Sequence, residues 1–139
     1  MRFEHWERRL AAIVDKYSRL PHEWGRCDCT TFAAEAVWCS TQKDPAAPWR
    51  RKYSDEAGAM ALIAAHGGLE AMIEHALARA GIRAERIAPA FAQRGDLCLM
   101  GGEGPPAVGI CVGAEIAGKS IAGLERRPLS AATVVWAIR

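Results

Sequence analysis

Trp24-Gly25-Arg26-Cys27-Asp28-Cys29-Thr30-Thr31-Phe32 is the stretch on which the reading of this chain turns. Trp24-Gly25 is turn material, Asp28 is a good helix N-cap, and Cys29 then takes the first helical position. The expected helix covers residues 29–41, with Phe32, Ala33, Ala36, Val37 and Cys39 as its apolar stripe. Its alanines allow close approach to a sheet. A helix N-terminus leaves backbone N–H groups unpaired and carries the positive end of the dipole, and both favour a thiolate. Cys29 is therefore a candidate nucleophile, which raises the question of a base.

Upstream, residues 2–18 read as an amphipathic helix. Phe3, Trp6, Leu10, Ile13, Val14 and Tyr17 recur at helical spacing, and Pro21 stops the pattern. Downstream, the stretch from Lys43 to Lys52, with Pro45 and Pro48, reads as a loop. Ser54 or Asp55 caps a helix to about residue 65, Gly67-Gly68 breaks it, and a second helix over about 69–80 ends at Gly81. Past Ile82 the period changes to that of strands, at 82–87, 97–100, 107–113, near 115–122, and 132–138. Arg94-Gly95-Asp96 is a turn and 101–106 a hairpin loop. Helices first and strands afterwards indicate α+β, with N-terminal helices packed on an antiparallel sheet in a single domain, 1–139.

Composition narrows the function classes. The chain has 139 residues with 18 basic and 16 acidic side chains, a net charge of +2 that is too balanced for nucleic acid or an anionic membrane surface. No apolar run is long enough to span a bilayer, and the charged N-terminus lacks the apolar core of a signal peptide. The five cysteines (Cys27, Cys29, Cys39, Cys98, Cys111) are odd in number and irregularly spaced, which argues against a disulfide framework.

A thiol at a helix start, followed by an antiparallel sheet made later in the chain, looks like the layout of papain-like hydrolases. At Trp24-Gly25, Asp28-Cys29, Phe32, Arg94-Gly95-Asp96-Leu97, Val108-Gly109-Ile110 and Gly113 the chain resembles the NlpC-type branch of cysteine peptidases. Those enzymes cleave the peptide stems of bacterial peptidoglycan. The resemblance is closer to small proteins encoded in tail gene clusters of siphophages, prophages and gene transfer agents. It extends through Asp44-Pro45, Arg50, Arg51, Tyr53, Gly67-Gly68 and Val135-Trp136. It implies a papain-like, NlpC-like fold and a place at the tail tip or baseplate beside hub and distal tail proteins. The implied location is the bacterial cytoplasm during assembly and the virion tail afterwards, with peptidoglycan as a further contact.

One departure bears on activity. In that family the residue before Val-Gly-Ile carries the base, and here it is Ala107. An alanine accepts no proton, so the pair that activates the thiol is missing at its expected place. The resemblance therefore implies a degenerate module with a structural or assembly role. The competing reading is an active endopeptidase with Cys29 as nucleophile, Asp28 or the Cys29 backbone N–H helping at the oxyanion, and a relocated base. His22, in the loop leading to Cys29, is the candidate for that base; His5, His66 and His75 read as surface or capping residues. A third alternative is a metal or iron–sulfur site at Cys27, Cys29 and Cys39. Zinc sites usually space paired cysteines by two or more residues and no second pair follows, so no metal or cofactor is expected.

Overall fold

The computed structural model describes residues 2–102 and 105–139. The described residues form four α-helices and then six strands. The helices are α1 (Trp6–Arg19), α2 (Cys29–Thr41), α3 (Glu56–Ala65) and α4 (Leu69–Arg79). The strands are β1 (Ala84–Ile87), β2 (Leu97–Met100), β3 (Ala107–Cys111), β4 (Glu115–Ser120), β5 (Gly123–Pro128) and β6 (Ala132–Ile138). They build one sheet in the order β1-β6-β2-β3-β4-β5, with every pairing antiparallel. The α+β class with N-terminal helices on an antiparallel sheet is thus the architecture that forms.

Helix α2 is the centre of the core. Phe32 and Val37 are fully buried, and the neighbouring Ala33 and Ala36 let the helix lie against β3, β4 and β6. Helix α1 packs beside it and against β5, contributing Leu10, Ile13 and Tyr17. Strand β3 is apolar throughout because it is covered on both faces, as a central strand should be. Val108 and Ile110 join the main core, while Cys111 packs with Cys98, Met100, Ile116 and Val135 in a smaller cluster on the sheet. Gly109 lets β3 and β4 approach closely: a Cβ there would lie 2.6 Å from the Ala117 carbonyl oxygen.

Three expectations are corrected. Helix α1 begins at Trp6, not residue 2. The arm before it makes tertiary bonds instead: Phe3 N–H donates to Ser40 O at 2.9 Å and Arg2 Nε to Ile138 O at 2.7 Å. The strand expected from Ile82 begins at Ala84, because the Ile82 N–H closes the end of α4 on Leu77 O at 2.9 Å. The strands near 115–122 are in fact a hairpin whose second arm, β5, runs through Gly123-Leu124-Glu125-Arg126-Arg127-Pro128. An edge strand of charged residues ending in proline shows no apolar alternation. The hairpin loop expected at 101–106 includes Glu103 and Gly104, which lie outside the described residues, as does Met1.

The Arg94-Gly95-Asp96 turn is a structural node. Asp96 is fully buried, and its carboxylate accepts hydrogen bonds from Gln93 N at 2.8 Å, Ile138 N at 3.0 Å, Arg139 Nη2 at 2.9 Å and Arg2 Nη2 at 3.2 Å. The start of β2, the end of β6 and the N-terminal arm are thereby tied at one carboxylate.

Candidate functional site

The elbow before α2 is held by Asp28. Its Oδ1 accepts from Thr31 N at 3.0 Å, while Thr31 Oγ1 accepts from Asp28 N at 2.9 Å, a reciprocal capping box. Oδ1 also accepts from Thr30 Oγ1 at 2.9 Å, and Oδ2 accepts from Gly25 N at 2.9 Å and Tyr53 Oη at 2.5 Å. Burial works against ionisation of this carboxyl, but the donors on Tyr53, Thr31, Gly25 and Thr30 outweigh it and hold Asp28 below its ordinary range. With both oxygens engaged as acceptors, Asp28 has no donor for an oxyanion. Of the two oxyanion helpers considered, the Cys29 backbone N–H is the one whose chemistry fits.

The segment 44–53 is an ordered strap across the elbow. Arg50 forks onto Asp44 at 2.7 and 3.1 Å, and Arg51 N–H donates to Gly25 O at 3.1 Å. Gly25 has φ 80°, and a Cβ there would lie 2.2 Å from the Tyr53 carbonyl oxygen, so only glycine fits. Tyr53 then reaches Asp28 from the strap. Its place in the strap is part of the sequence resemblance, but nothing in the local pattern points to its partner 25 residues away.

Cys29 opens α2 as expected, half-buried at the edge of the core. Its thiol is partly desolvated by the core it packs against. Burial pushes it up to about 11, and the nearby Asp28 charge adds to the rise, while backbone N–H groups of Val108, Thr30 and Cys29 itself pull the other way. The helix terminus alone therefore leaves Cys29 a protonated thiol at neutral pH.

A cleft of about 380 Å³ opens over this thiol. Its walls come from the elbow and the loop before it (His22, Trp24), from the strap (Tyr53), from α3 and α4 (Met60, Ile63, Met72) and from the sheet (Ala107, Lys119, Ser120, Glu125). Ala107 thus shares the cleft with Cys29, at the first residue of β3 and one residue before the Val108 backbone that the thiol approaches. His22 lines the same cleft, with its ring edge-on to Trp24 at 4.6 Å between centroids. Among the described residues no hydrogen bond links His22, or any other histidine, to Cys29. His66 lies away from the cleft, beside Trp49 and His75, with Nδ1 3.0 Å from Leu62 O. His5 is exposed before α1.

Two cleft residues were not legible as such. Lys119 is buried on β4, and its ammonium donates to Tyr17 O at 2.8 Å and to Leu20 O, closing the end of α1. Glu125 comes from the edge strand; its carboxylate accepts from Ser120 Oγ at 3.0 Å and Arg127 Nη2 at 3.3 Å. Among the described residues no three His, Cys, Asp or Glu side chains are grouped as metal ligands would be, so Cys27, Cys29 and Cys39 do not form a cluster. Nor is any described helix long and apolar enough to cross a membrane.

Fold and site together define an α+β domain with a half-buried helix-start thiol facing an apolar cleft. The chain belongs to the family described as a domain of unknown function (DUF6950), whose model matches residues 1–138. Comparison with curated proteins and with solved structures gave no match.

Proposed function

We propose that this protein is a non-catalytic NlpC-like module of a phage or prophage tail tip, docked on the hub and distal tail proteins. The observation that carries the catalytic half is the thiol at the start of α2. It shares its cleft with Ala107, has no histidine hydrogen-bonded to it, and is pushed up to about 11 by burial. A peptidase thiol needs the opposite, a depressed pKa and a base in reach. The tail-tip half rests on the sequence resemblance. The retained elbow then serves packing: Asp28 caps α2, and Cys29 fills the junction of helix and sheet.

Incubation of the protein with purified bacterial peptidoglycan is expected to release no new amino groups, and Cys29→Ala to behave identically. Release that depends on Cys29 would overturn the non-catalytic reading. Tail particles purified from the encoding strain are expected to contain the protein. A monomer absent from them would overturn the assembly role.

The location of His22 in the same cleft favours one second reading, an active cell-wall endopeptidase with a relocated base. It requires any Cys29-dependent hydrolysis to fall roughly 10²-fold or more in His22→Ala, the contribution of a positioned base.

A further inference from the structure

We propose that a basic pocket at the end of the β1–β6 ladder binds a phosphate group. The pocket measures about 300 Å³ and shares no lining residue with the cleft over Cys29. Lys43, Arg83 and Arg139 are its charged walls, and among the described residues no aspartate or glutamate lines it. The register of the sheet is what crowds the charge. The last pair of the ladder is Ala84 with Ile138, so the next step brings Arg83 opposite Arg139. Like charges directly opposite each other across two strands are destabilising. Asp96 does not relieve this pair, because its one carboxylate is shared between Arg139 and Arg2. Arg83 is exposed and makes no ion pair among the described residues. Arg2, Lys43, Arg83 and Arg139 thus outnumber Asp96, and the balance stays positive even with a main-chain carboxylate at Arg139 counted beside it.

The donors left over specify the ligand. Arg83 keeps its whole guanidinium fork. Lys43 donates to Gly81 O at 2.8 Å, past the end of α4, and retains further N–H groups. Arg139 spends Nη2 on Asp96 at 2.9 Å and on Phe91 O at 3.4 Å, which leaves Nε and Nη1. A carboxylate is satisfied by one guanidinium fork, so it would leave the remaining cations facing one another. A phosphate group carries a charge of about −1.5 to −2 and several strong acceptor oxygens, enough to engage Arg83, Arg139 and Lys43 together. The volume equals about ten waters at roughly 30 Å³ each, more than a phosphate alone fills. Phe3, half exposed, and Ile82 supply apolar wall for the remainder. The phosphate is either the inorganic ion or the head of a monoester whose apolar part lies on Phe3.

The test is calorimetric titration of the full chain at neutral pH and about 0.1 M ionic strength, where distant charges are screened. Inorganic phosphate, phenyl phosphate and benzoate are the probes. Both phosphates are expected to bind saturably, and benzoate, which has the ring but only a carboxylate, about tenfold more weakly than phenyl phosphate or worse. Tighter binding of phenyl phosphate than of inorganic phosphate indicates a monoester, and equal binding the inorganic ion. Arg83→Gln should weaken phosphate binding about tenfold or more, the loss of a hydrogen bond between charged groups. Arg126→Gln removes the same charge from β5, at the other edge of the sheet, and should leave the affinity nearly unchanged. With no anion present, Arg83→Gln is expected to raise the urea midpoint, since it relieves the facing arginines. Absence of saturation by either phosphate overturns the inference, as does benzoate binding as tightly as phenyl phosphate. An equal loss of affinity in the two variants would mean binding by net charge alone and overturns it too, and so does an Arg83→Gln protein less stable than the parent.

Discussion

Gly25 and Tyr53 set the elbow at the residue scale. Gly25→Ala would force a left-handed backbone on alanine, worth about 1–2 kcal/mol, and drive its methyl into the Tyr53 carbonyl. The expected outcome is a fall in urea stability of about 3 kcal/mol or more, since the clash adds to the backbone term. Tyr53→Phe removes one donor to the buried Asp28 carboxylate, a bond to a charged group worth about 1.5–3 kcal/mol. Its pH dependence has a definite sign. Asp28 lies below its ordinary value of 3.8, so the stability it contributes is present above that value and lost as pH falls through the folded value. The Tyr53→Phe deficit is therefore expected to be full at pH 7 and to shrink below about pH 3.8. Paired urea titrations at pH 7 and at the acid end check this; an equal deficit at both would place the role of Tyr53 elsewhere.

At the scale of elements, Asp96 joins three parts of the fold that are far apart in sequence: the turn into β2, the last strand and the arm before α1. Asp96→Ala leaves the Ile138 N–H and two guanidinium groups without their acceptor. Breaking a buried pair costs about 3–5 kcal/mol. Arg139 is substantially exposed, so about 3 kcal/mol is expected, measured by thermal or urea unfolding. A loss under about 1 kcal/mol, the level of a surface pair, would show that the termini are held by packing alone. At this scale the sequence was informative where periodicity is strong. The start of α2 at Cys29 and its Asp28 cap followed from the local pattern, as did the Gly67-Gly68 break between α3 and α4. It was misleading at β5, whose polar edge hides the strand period, and in the N-terminal arm, where helical spacing yields to bonds from Phe3 and Arg2.

Over the whole molecule, the five cysteines share one property: burial raises every thiol above the ordinary value of 9.0, Cys29 and Cys39 to about 11 and Cys98 to about 12. A raised folded value means that the unfolded chain loses these protons first as pH climbs. Stability is then complete below about pH 9 and declines through pH 11–12. Tyr17 and Tyr53, also raised by burial, act in the same direction at still higher pH. Urea midpoints are expected to be level up to about pH 9 and to fall progressively from there to about pH 12, and a flat profile would contradict the burial of the thiols.

Part of the candidate site was readable from the chain because it depends on neighbours in sequence: a turn, a cap and a thiol at a helix start lie within residues 24–32. That residue 107 is an alanine, which accepts no proton, was readable in the chain, since it is a matter of residue type. The rest depends on contacts that no local pattern encodes. Tyr53 meets Asp28, Lys119 meets the end of α1, and Glu125 enters the cleft from an edge strand. Burial of the Cys29 thiol is likewise a tertiary property. A helix N-terminus favours a thiolate by local dipoles, but the desolvation that overrides it comes from the sheet and helices closing around the sulfur. Sequence by itself determined the helix-then-strand order and the position of the thiol, because both follow from short-range periodicity and capping. Tertiary structure alone decided the protonation of that thiol and the shape of the space beside it, because these depend on atoms brought together by folding.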